Sequence, residues 1–244
     1  MAAPHLASPI WHVVTALAVA GALALHGGPV HAAPDPASSG TLRFGDGGEA
    51  YRGYRIVIAR DVANAEIAAL RRAAEHQIDL VEATTLDERT KAFLRGVPII
   101  VGSGSGEGSH YSGGDSVSIA LKDPSDDRPI LLHEFMHVYQ ARRLPGGTDN
   151  PDIRTFYERA RNGGFYPAGA YVLKNRGEFF AMTASVFLHG SLAREPFTRA
   201  ELRQKQPIYY RYLTRLFGAP QVAADPAPRP AGAQSLQPCG VTQP

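Results

Sequence analysis

Apolar residues recur at every third or fourth position between residues 128 and 143, and this spacing predicts an amphipathic helix. Leu131, Phe135 and Val138 fall on one side of that helix, where they can pack against a core. Most of the polar residues between them fall on the other side. The helix therefore has one face for packing and another that is available for chemistry.

Flanking residues fit both ends of this helix. Asp126 or Asp127 can cap its amino end, and Pro129 suits its first turn. Arg142 and Arg143 lie in its last turn, where the helix dipole favours positive charge. These signals support the predicted helix at both ends.

On either side of this helix, runs of β-branched residues and helical patterns predict the remaining elements. Strands are expected at 55–59, 78–81, 97–101 and 117–121, with one helix capped by Asp61 and another between Thr85 and Gly96. Further helices are expected at 150–161, from Asn175 to about Gly190, from Thr198 onward and at 208–217. The order predicts an α+β fold, with a small mixed sheet followed by a helical lobe.

The composition is that of a globular protein, with 44% hydrophobic and 20% charged residues in a chain of 244. The net charge of +2 gives no reason to expect a nucleic-acid partner. The single cysteine, Cys239, excludes an internal disulfide. We expect four segments: a signal peptide at 1–32, a flexible lead-in at 33–50, one catalytic domain at 51–220 and a Pro/Ala-rich disordered tail at 221–244.

The signal peptide is inferred from an apolar run that is too short to span a bilayer comfortably and is followed by small residues suited to cleavage. It indicates a secreted or periplasmic protein without a stable membrane span after cleavage. Because the leading segment has no Lys or Arg, an uncleaved anchor stays open as an alternative.

The polar face of the central helix carries His133, Glu134 and His137 in the pattern His-Glu-x-x-His. Two histidines four residues apart can reach one Zn²⁺, and the glutamate between them then lies beside the open coordination position as a general base. The alternative is a buried helix with two hydrogen-bonded histidines. Three specified residues coincide by chance on the order of once in a hundred chains of this length, which favours the zinc site.

A catalytic zinc commonly has three protein ligands and a water, so a third ligand is needed. Gln140 and Arg143 exclude the pattern in which a glycine and a third histidine complete the motif. Glu178 is the best candidate, because it opens a predicted helix whose same face carries small residues. The competing candidates are His110, Asp149, Asp152, Glu158 and His189.

Together, the motif at 133–137 and the segment Asn175-Arg176-Gly177-Glu178-Phe179-Phe180-Ala181 resemble the gluzincin zinc peptidases, in particular the anthrax lethal-factor catalytic domain and the secreted Pro-Pro endopeptidases. The resemblance implies a zincin-like fold with one Zn²⁺ bound by His133, His137 and Glu178, and with Glu134 as the base. It also implies that Tyr171, seven residues before Glu178, donates to the developing oxyanion. Unlike thermolysin, the chain has Met182 where that enzyme's pattern has a carboxylate.

The predicted substrate is a peptide or protein in extended conformation, lying between the strand at 117–121 and the central helix. The glycine-rich segment 102–114 lacks the ending of a phosphate-binding loop and is either a flexible connection or a lid. The sequence thus predicts a secreted zinc endopeptidase. Two alternatives stay open: a non-catalytic zinc-stabilised binding or toxin module, and a metal hydrolase of non-peptide amides.

Overall fold

A computed structural model describes residues 49–103 and 108–220 of the chain. The predicted signal peptide, almost all of the lead-in and the predicted tail lie outside the described residues. Within the described part, no helix is both long and apolar enough to cross a membrane.

The sheet has four strands in the order β1 to β4: β1 Glu49–Tyr51, β2 Tyr54–Ile58, β3 Ile99–Gly102 and β4 Val117–Ala120. The pair β1 and β2 is antiparallel, and the other two pairs are parallel. The helices of the described residues are α1 Asn64–Glu82, α2 Glu88–Arg95, α3 Ile130–Arg143, α4 Pro151–Asn162, α5 Arg176–His189, α6 Arg199–Lys205 and α7 Pro207–Phe217. The predicted α+β class, a small mixed sheet followed by a helical lobe, is confirmed.

Alternation along the central strands supplies the sheet's part of the core. Ile99 and Val101 in β3 are fully buried, and Val117 pairs with Ile99 in the parallel register. Beyond the sheet, Phe135 of α3 stacks on Tyr54 of β2, with 5.9 Å between the ring centroids. The central helix is thereby fixed against the sheet through its apolar face, as the sequence pattern predicts.

The strand predicted at 78–81 is wrong, because these residues form the last turns of α1. Leu70, Ala74, Ile78 and Val81 are all buried. Their spacing of four, four and three residues is that of one helix face packed on the core. The two β-branched residues favoured a strand locally, and the packing of the long helix overrides that preference.

Two smaller expectations at the start of the fold also differ from the structure. Strand β1, which the sequence pattern did not indicate, adds an antiparallel edge through the tight turn between Tyr51 and Tyr54. Asp61 does not cap α1, since that helix begins after Ala63, which provides no side-chain cap. Helix α2 begins after Asp87, whose side chain accepts from Thr90 N, and it ends at Gly96 as predicted.

The amino end of α3 is held by Gln77 of α1 instead of by an aspartate. Leu131 N donates to Gln77 Oε1 at 3.1 Å, and Gln77 Nε2 donates to the carbonyls of Asp126 and Arg128 at 2.7 and 2.9 Å. The predicted cap by Asp126 or Asp127 is therefore wrong: Asp126 bonds Arg128, and Asp127 contacts His76. A buried amide from another helix satisfies the backbone groups that a local cap would otherwise satisfy.

The helical lobe follows its local capping signals closely. Side-chain oxygens of Asn150, Asn175 and Thr198 accept from the backbone N–H three residues on, at the starts of α4, α5 and α6. Helix α5 is almost entirely buried from Phe179 to Leu188 and packs against α3. The lobe thus presents the amino end of α5 to the polar face of α3.

Candidate metal centre

His133 and His137 lie on the half-buried face of α3, one turn apart. Their rings are perpendicular, with 4.8 Å between centroids, and their Nε2 atoms are 3.2 Å apart. Because the apolar face of α3 is fixed on the sheet, neither imidazole is free to turn into the core. The two nitrogens therefore face one point at the surface of the helix.

Glu178 reaches the same point from the first turn of α5. Its backbone N–H donates to the Asn175 side chain at 2.9 Å, which fixes the start of that helix. Glu178 Oε2 lies 3.2 Å from His133 Nε2 and 3.6 Å from His137 Nε2. Gly177 allows this approach: a Cβ there would lie 3.6 Å from His137 Nδ1 and only 3.2 Å from Asn175 Oδ1.

These three separations fit a single tetrahedral metal ion. Bonds of 2.0–2.1 Å to nitrogen or oxygen place neighbouring ligand atoms about 3.3 Å apart in a tetrahedron, and the observed separations are 3.2, 3.2 and 3.6 Å. Glu178 Oε2 is buried but makes no well-directed hydrogen bond. An oxygen and two nitrogens that converge at these separations are a donor set that could bind a metal.

The electrostatics of Glu178 also suit a ligand. Burial works to raise the pKa of its carboxyl, but the imidazoles of His133 and His137 outweigh burial, and the pKa is lowered well below the usual range. The carboxylate is therefore ionised at any physiological pH. An ionised carboxylate and two imidazoles are the ligand types found in catalytic zinc sites.

Glu134 lies beside the cluster on the same helix and is only 4% exposed. Its Oε2 is buried and has no hydrogen-bond partner among the described residues. Burial raises the pKa of its carboxyl, an effect that the neighbouring His133 and His137 oppose. A buried, unpartnered carboxylate with a raised pKa is a candidate proton acceptor.

Tyr171 stands on the 3₁₀ turn Tyr171–Leu173 that precedes α5. Its hydroxyl donates to Glu178 Oε1 at 3.0 Å. The turn is fixed from the other side by Tyr157 of α4, whose hydroxyl donates to the Leu173 carbonyl at 3.0 Å. Burial, together with the negative charge of Glu178, raises the pKa of Tyr171 to about 12, so the phenol keeps its proton at neutral pH and can donate it to a hydrogen bond.

The competing ligand candidates lie elsewhere. Asp149 and Glu158 both contact Arg176, at 3.7 and 3.9 Å. Asp152 is in the first turn of α4, and His189 ends α5. Over the described ranges, the one group of three His, Cys, Asp or Glu residues whose ligand atoms lie within 4.8 Å of one another is His133, His137 and Glu178.

The outer edge of β4 is already in use, which changes the expected place of a substrate. His110 and Ser118 exchange both backbone hydrogen bonds in an antiparallel bridge, and Ala120 N donates to Ser109 Oγ. A peptide therefore cannot pair with β4 at Ser118 while residues 109 and 110 lie there. The expectation of a substrate directly against the strand at 117–121 needs correction at Ser118, because residues 109 and 110 occupy that edge.

A cavity of about 340 Å³ opens beside His137. It is lined by residues from the 111–113 segment, the end of α3, the turn at Thr148 and Gly177, including Tyr111 and Gln140. Arg142 closes one side, since its guanidinium donates to Gly114 O and to Asp115 Oδ1. Gln140 Nε2 is buried there without a hydrogen-bond partner. The cavity lies beside one residue of the cluster and is large enough to hold part of a ligand.

Some residues around the centre were not indicated by the sequence. Gln77 fixes α3 from 54 residues away, and Ser109 bonds the edge strand. Arg194 places its guanidinium over the Tyr171 ring, with 4.8 Å between Cζ and the ring centroid. None of these contacts has a local spacing signal, because each depends on how distant segments pack.

Comparison with known proteins gives a distant likeness. No protein-family model matches the chain, and no curated protein matches it in sequence. Among solved structures, the chain is similar to the Pro-Pro endopeptidase PPEP-2 from Paenibacillus alvei, with 17% sequence identity and a TM-score of 0.41; the match covers 66% of this chain and 96% of that one. At this level of similarity, the chemistry of the site has to be read from its own residues.

Proposed function

We propose that this protein is a secreted or periplasmic zinc-dependent endopeptidase of the gluzincin type. One observation carries the proposal: three ligand atoms from His133, His137 and Glu178 converge at tetrahedral separations beside the unpartnered Oε2 of Glu134. Histidines and a carboxylate in this number leave one position open for water and substrate. The site thus has the parts of a hydrolase and no part that is left without a role.

His133, His137 and Glu178 would hold the zinc ion. When bound, zinc lowers the pKa of a water molecule and polarises the scissile carbonyl. Glu134 accepts the proton of the attacking water at its free Oε2 and passes it to the leaving amine. Its raised pKa suits both halves of that transfer.

We propose Tyr171 as the oxyanion donor. Its hydroxyl donates to the ligand carboxylate, 3.0 Å from Glu178 Oε1. We propose that it turns to the carbonyl oxygen of the substrate as negative charge develops there. The raised pKa of the phenol keeps the proton available for that bond.

We propose that the substrate is an extended peptide bound on the outer side of residues 109–110. Because these residues occupy the edge of β4, a peptide would pair with their outer side instead of with β4 itself. One substrate side chain would then enter the cavity beside His137, between Tyr111 and Thr148.

A peptide-library cleavage profile tests this proposal, with the zinc content measured on the same sample. We expect internal cleavage of peptides that is lost on chelation and restored by zinc. A parallel screen of acylated small molecules separates a peptidase from a hydrolase of other amides. Cleavage of the small molecules alone, or zinc binding without any hydrolysis, would contradict the proposal.

A further inference from the structure

Among the residues that the structure describes, the hydroxyl of Tyr171 is fixed by one hydrogen bond, to Glu178 Oε1. In the function proposed above, on which this inference rests, the hydroxyl leaves Glu178 for the substrate oxygen during the reaction. The bond that orients the phenol is therefore broken when orientation matters most. Something other than Glu178 has to keep the ring in place at that moment.

Two cations lie over the Tyr171 ring. Arg194 Cζ is 4.8 Å from the ring centroid, and Lys174 Nζ is 5.0 Å from it. The face of the Tyr171 ring is the contact that the structure gives the Arg194 guanidinium. Cations within about 6 Å of a ring centroid are attracted by the negative face of the ring.

The backbone that carries Arg194 is well fixed. A short turn follows α5, with an antiparallel bridge between Ser191 and Thr198. Inside it, Leu192 N donates to Phe197 O at 2.7 Å, and Phe197 N donates to Arg194 O at 2.8 Å. Arg194 is thus held at both its ring contact and its own carbonyl.

Arg194 and Lys174 differ in what they can do for the ring. The guanidinium is planar and stacks on an aromatic face, whereas the ammonium is a compact charge that water hydrates strongly. Both side chains are exposed, and the guanidinium carbon of Arg194 lies slightly closer to the ring centroid than the ammonium nitrogen of Lys174. Arg194 is therefore the principal contact and Lys174 a secondary one.

We propose that Arg194 is a positioning residue for Tyr171: it holds the phenol ring through the step in which the hydroxyl leaves Glu178 for the substrate oxygen. Its positive charge beside the phenol also favours the negative charge that develops on that oxygen. Arg194 acts through Tyr171 and need not touch the substrate. It should therefore affect the rate of the chemical step more than substrate binding.

A double-mutant cycle tests this role. Arg194→Met should lower kcat about two- to fivefold, the range of an exposed cation–π contact, with KM and zinc content unchanged. Arg194→Lys should recover part of the loss. In a Tyr171→Phe background, Arg194→Met should have no further effect.

Arg89→Met, on the exposed surface of α2, is the matched control and should leave kcat at the parent value. Equal losses in both backgrounds, or a change in KM alone, would overturn the proposal.

An NMR measurement decides the contact independently of activity. In zinc-free and zinc-loaded protein, the Arg194 δ-methylene protons should be shifted upfield by the Tyr171 ring current, with their signals identified by their loss in Arg194→Met. Tyr171→Leu should return them to the ordinary arginine position, and Arg89→Met should not move them. Identical shifts in the parent and in Tyr171→Leu would overturn the proposal. If the parent cleaves no peptide, the proposed function fails, and this shift still decides whether Arg194 holds Tyr171.

Discussion

Nε2 of His133 and Nε2 of His137 lie 3.2 Å apart, and Glu178 Oε2 lies 3.2 Å from the first nitrogen and 3.6 Å from the second. A shared cation satisfies all three atoms at once. In the function proposed above, zinc binding and hydrolysis both depend on this arrangement.

Replacing Glu178 with Ala should remove the third ligand and sharply reduce the zinc content of the purified protein. Mutating a residue that only supports a metal ligand typically lowers metal affinity about tenfold or more. Loss of one of the three ligands themselves should lower zinc affinity by at least as much. Metal analysis after dialysis measures the effect. Asp149→Ala and His189→Ala are the controls, because neither residue belongs to the cluster, and both should keep one zinc per chain. Full occupancy in Glu178→Ala would exclude this ligand set.

Replacing Gln77 with Ala should destabilise the protein by about 2–4 kcal/mol, because one buried and two part-buried hydrogen bonds to the start of α3 and the residues before it are lost together. Urea unfolding of zinc-free protein measures this free energy. Asp127→Ala removes only an exposed contact to His76 and should cost less than about 1 kcal/mol. If the two variants are equally stable, Gln77 does not fix the central helix.

The stability of the zinc-free protein should depend on the ionisation of Glu82. Burial works to raise the pKa of Glu82, but hydrogen bonds from Arg95 and Tyr54 outweigh it and lower the pKa below the ordinary 4.5. The stability that Glu82 contributes is therefore fully present above pH 4.5 and is lost as the pH falls through the lowered folded value. Glu82→Gln should cost roughly 1–2 kcal/mol at pH 7, and its difference from the parent should shrink in acid.

Glu88 provides the control for that experiment. It pairs with the same Arg95 at 3.2 Å, but its side chain is 76% exposed. Glu88→Gln should therefore change the free energy of unfolding by less than about 1 kcal/mol at any pH. Denaturant unfolding from pH 3 to pH 7 compares the two variants. A difference between Glu82→Gln and the parent that is constant across this range would contradict the assigned pairing.

The parts of the fold that follow local rules could be predicted from the sequence. The capping oxygens of Asn150, Asn175 and Thr198 act within three residues, so the starts of their helices were readable. The run at 78–81 wrongly predicts a strand, because a short apolar segment with β-branched residues fits a strand as well as a buried helix. Leu70 and Ala74 lie on the same buried face of α1 as this run, and the packing of that face on the core makes the segment a helix.

The site shows the same division. His133 and His137 are one helical turn apart, so their convergence follows from helix geometry alone. Glu178 comes from a separate helix. The pattern at the start of α5 and the gluzincin resemblance predict it as the third metal ligand. Contacts such as Arg194 on Tyr171 and His110 on Ser118 join segments that only the folded chain brings together. No spacing rule along the sequence can reveal them.

The most direct test of zinc-dependent hydrolysis with Glu134 as the general base is peptide cleavage by Glu134→Gln, measured with the zinc content of the same sample. The amide keeps the size of Glu134 but cannot accept the proton of the attacking water. We predict one zinc per chain, as in the parent, with peptide cleavage reduced by at least about a hundredfold. Cleavage at the parent's rate by a zinc-loaded Glu134→Gln variant would contradict the account.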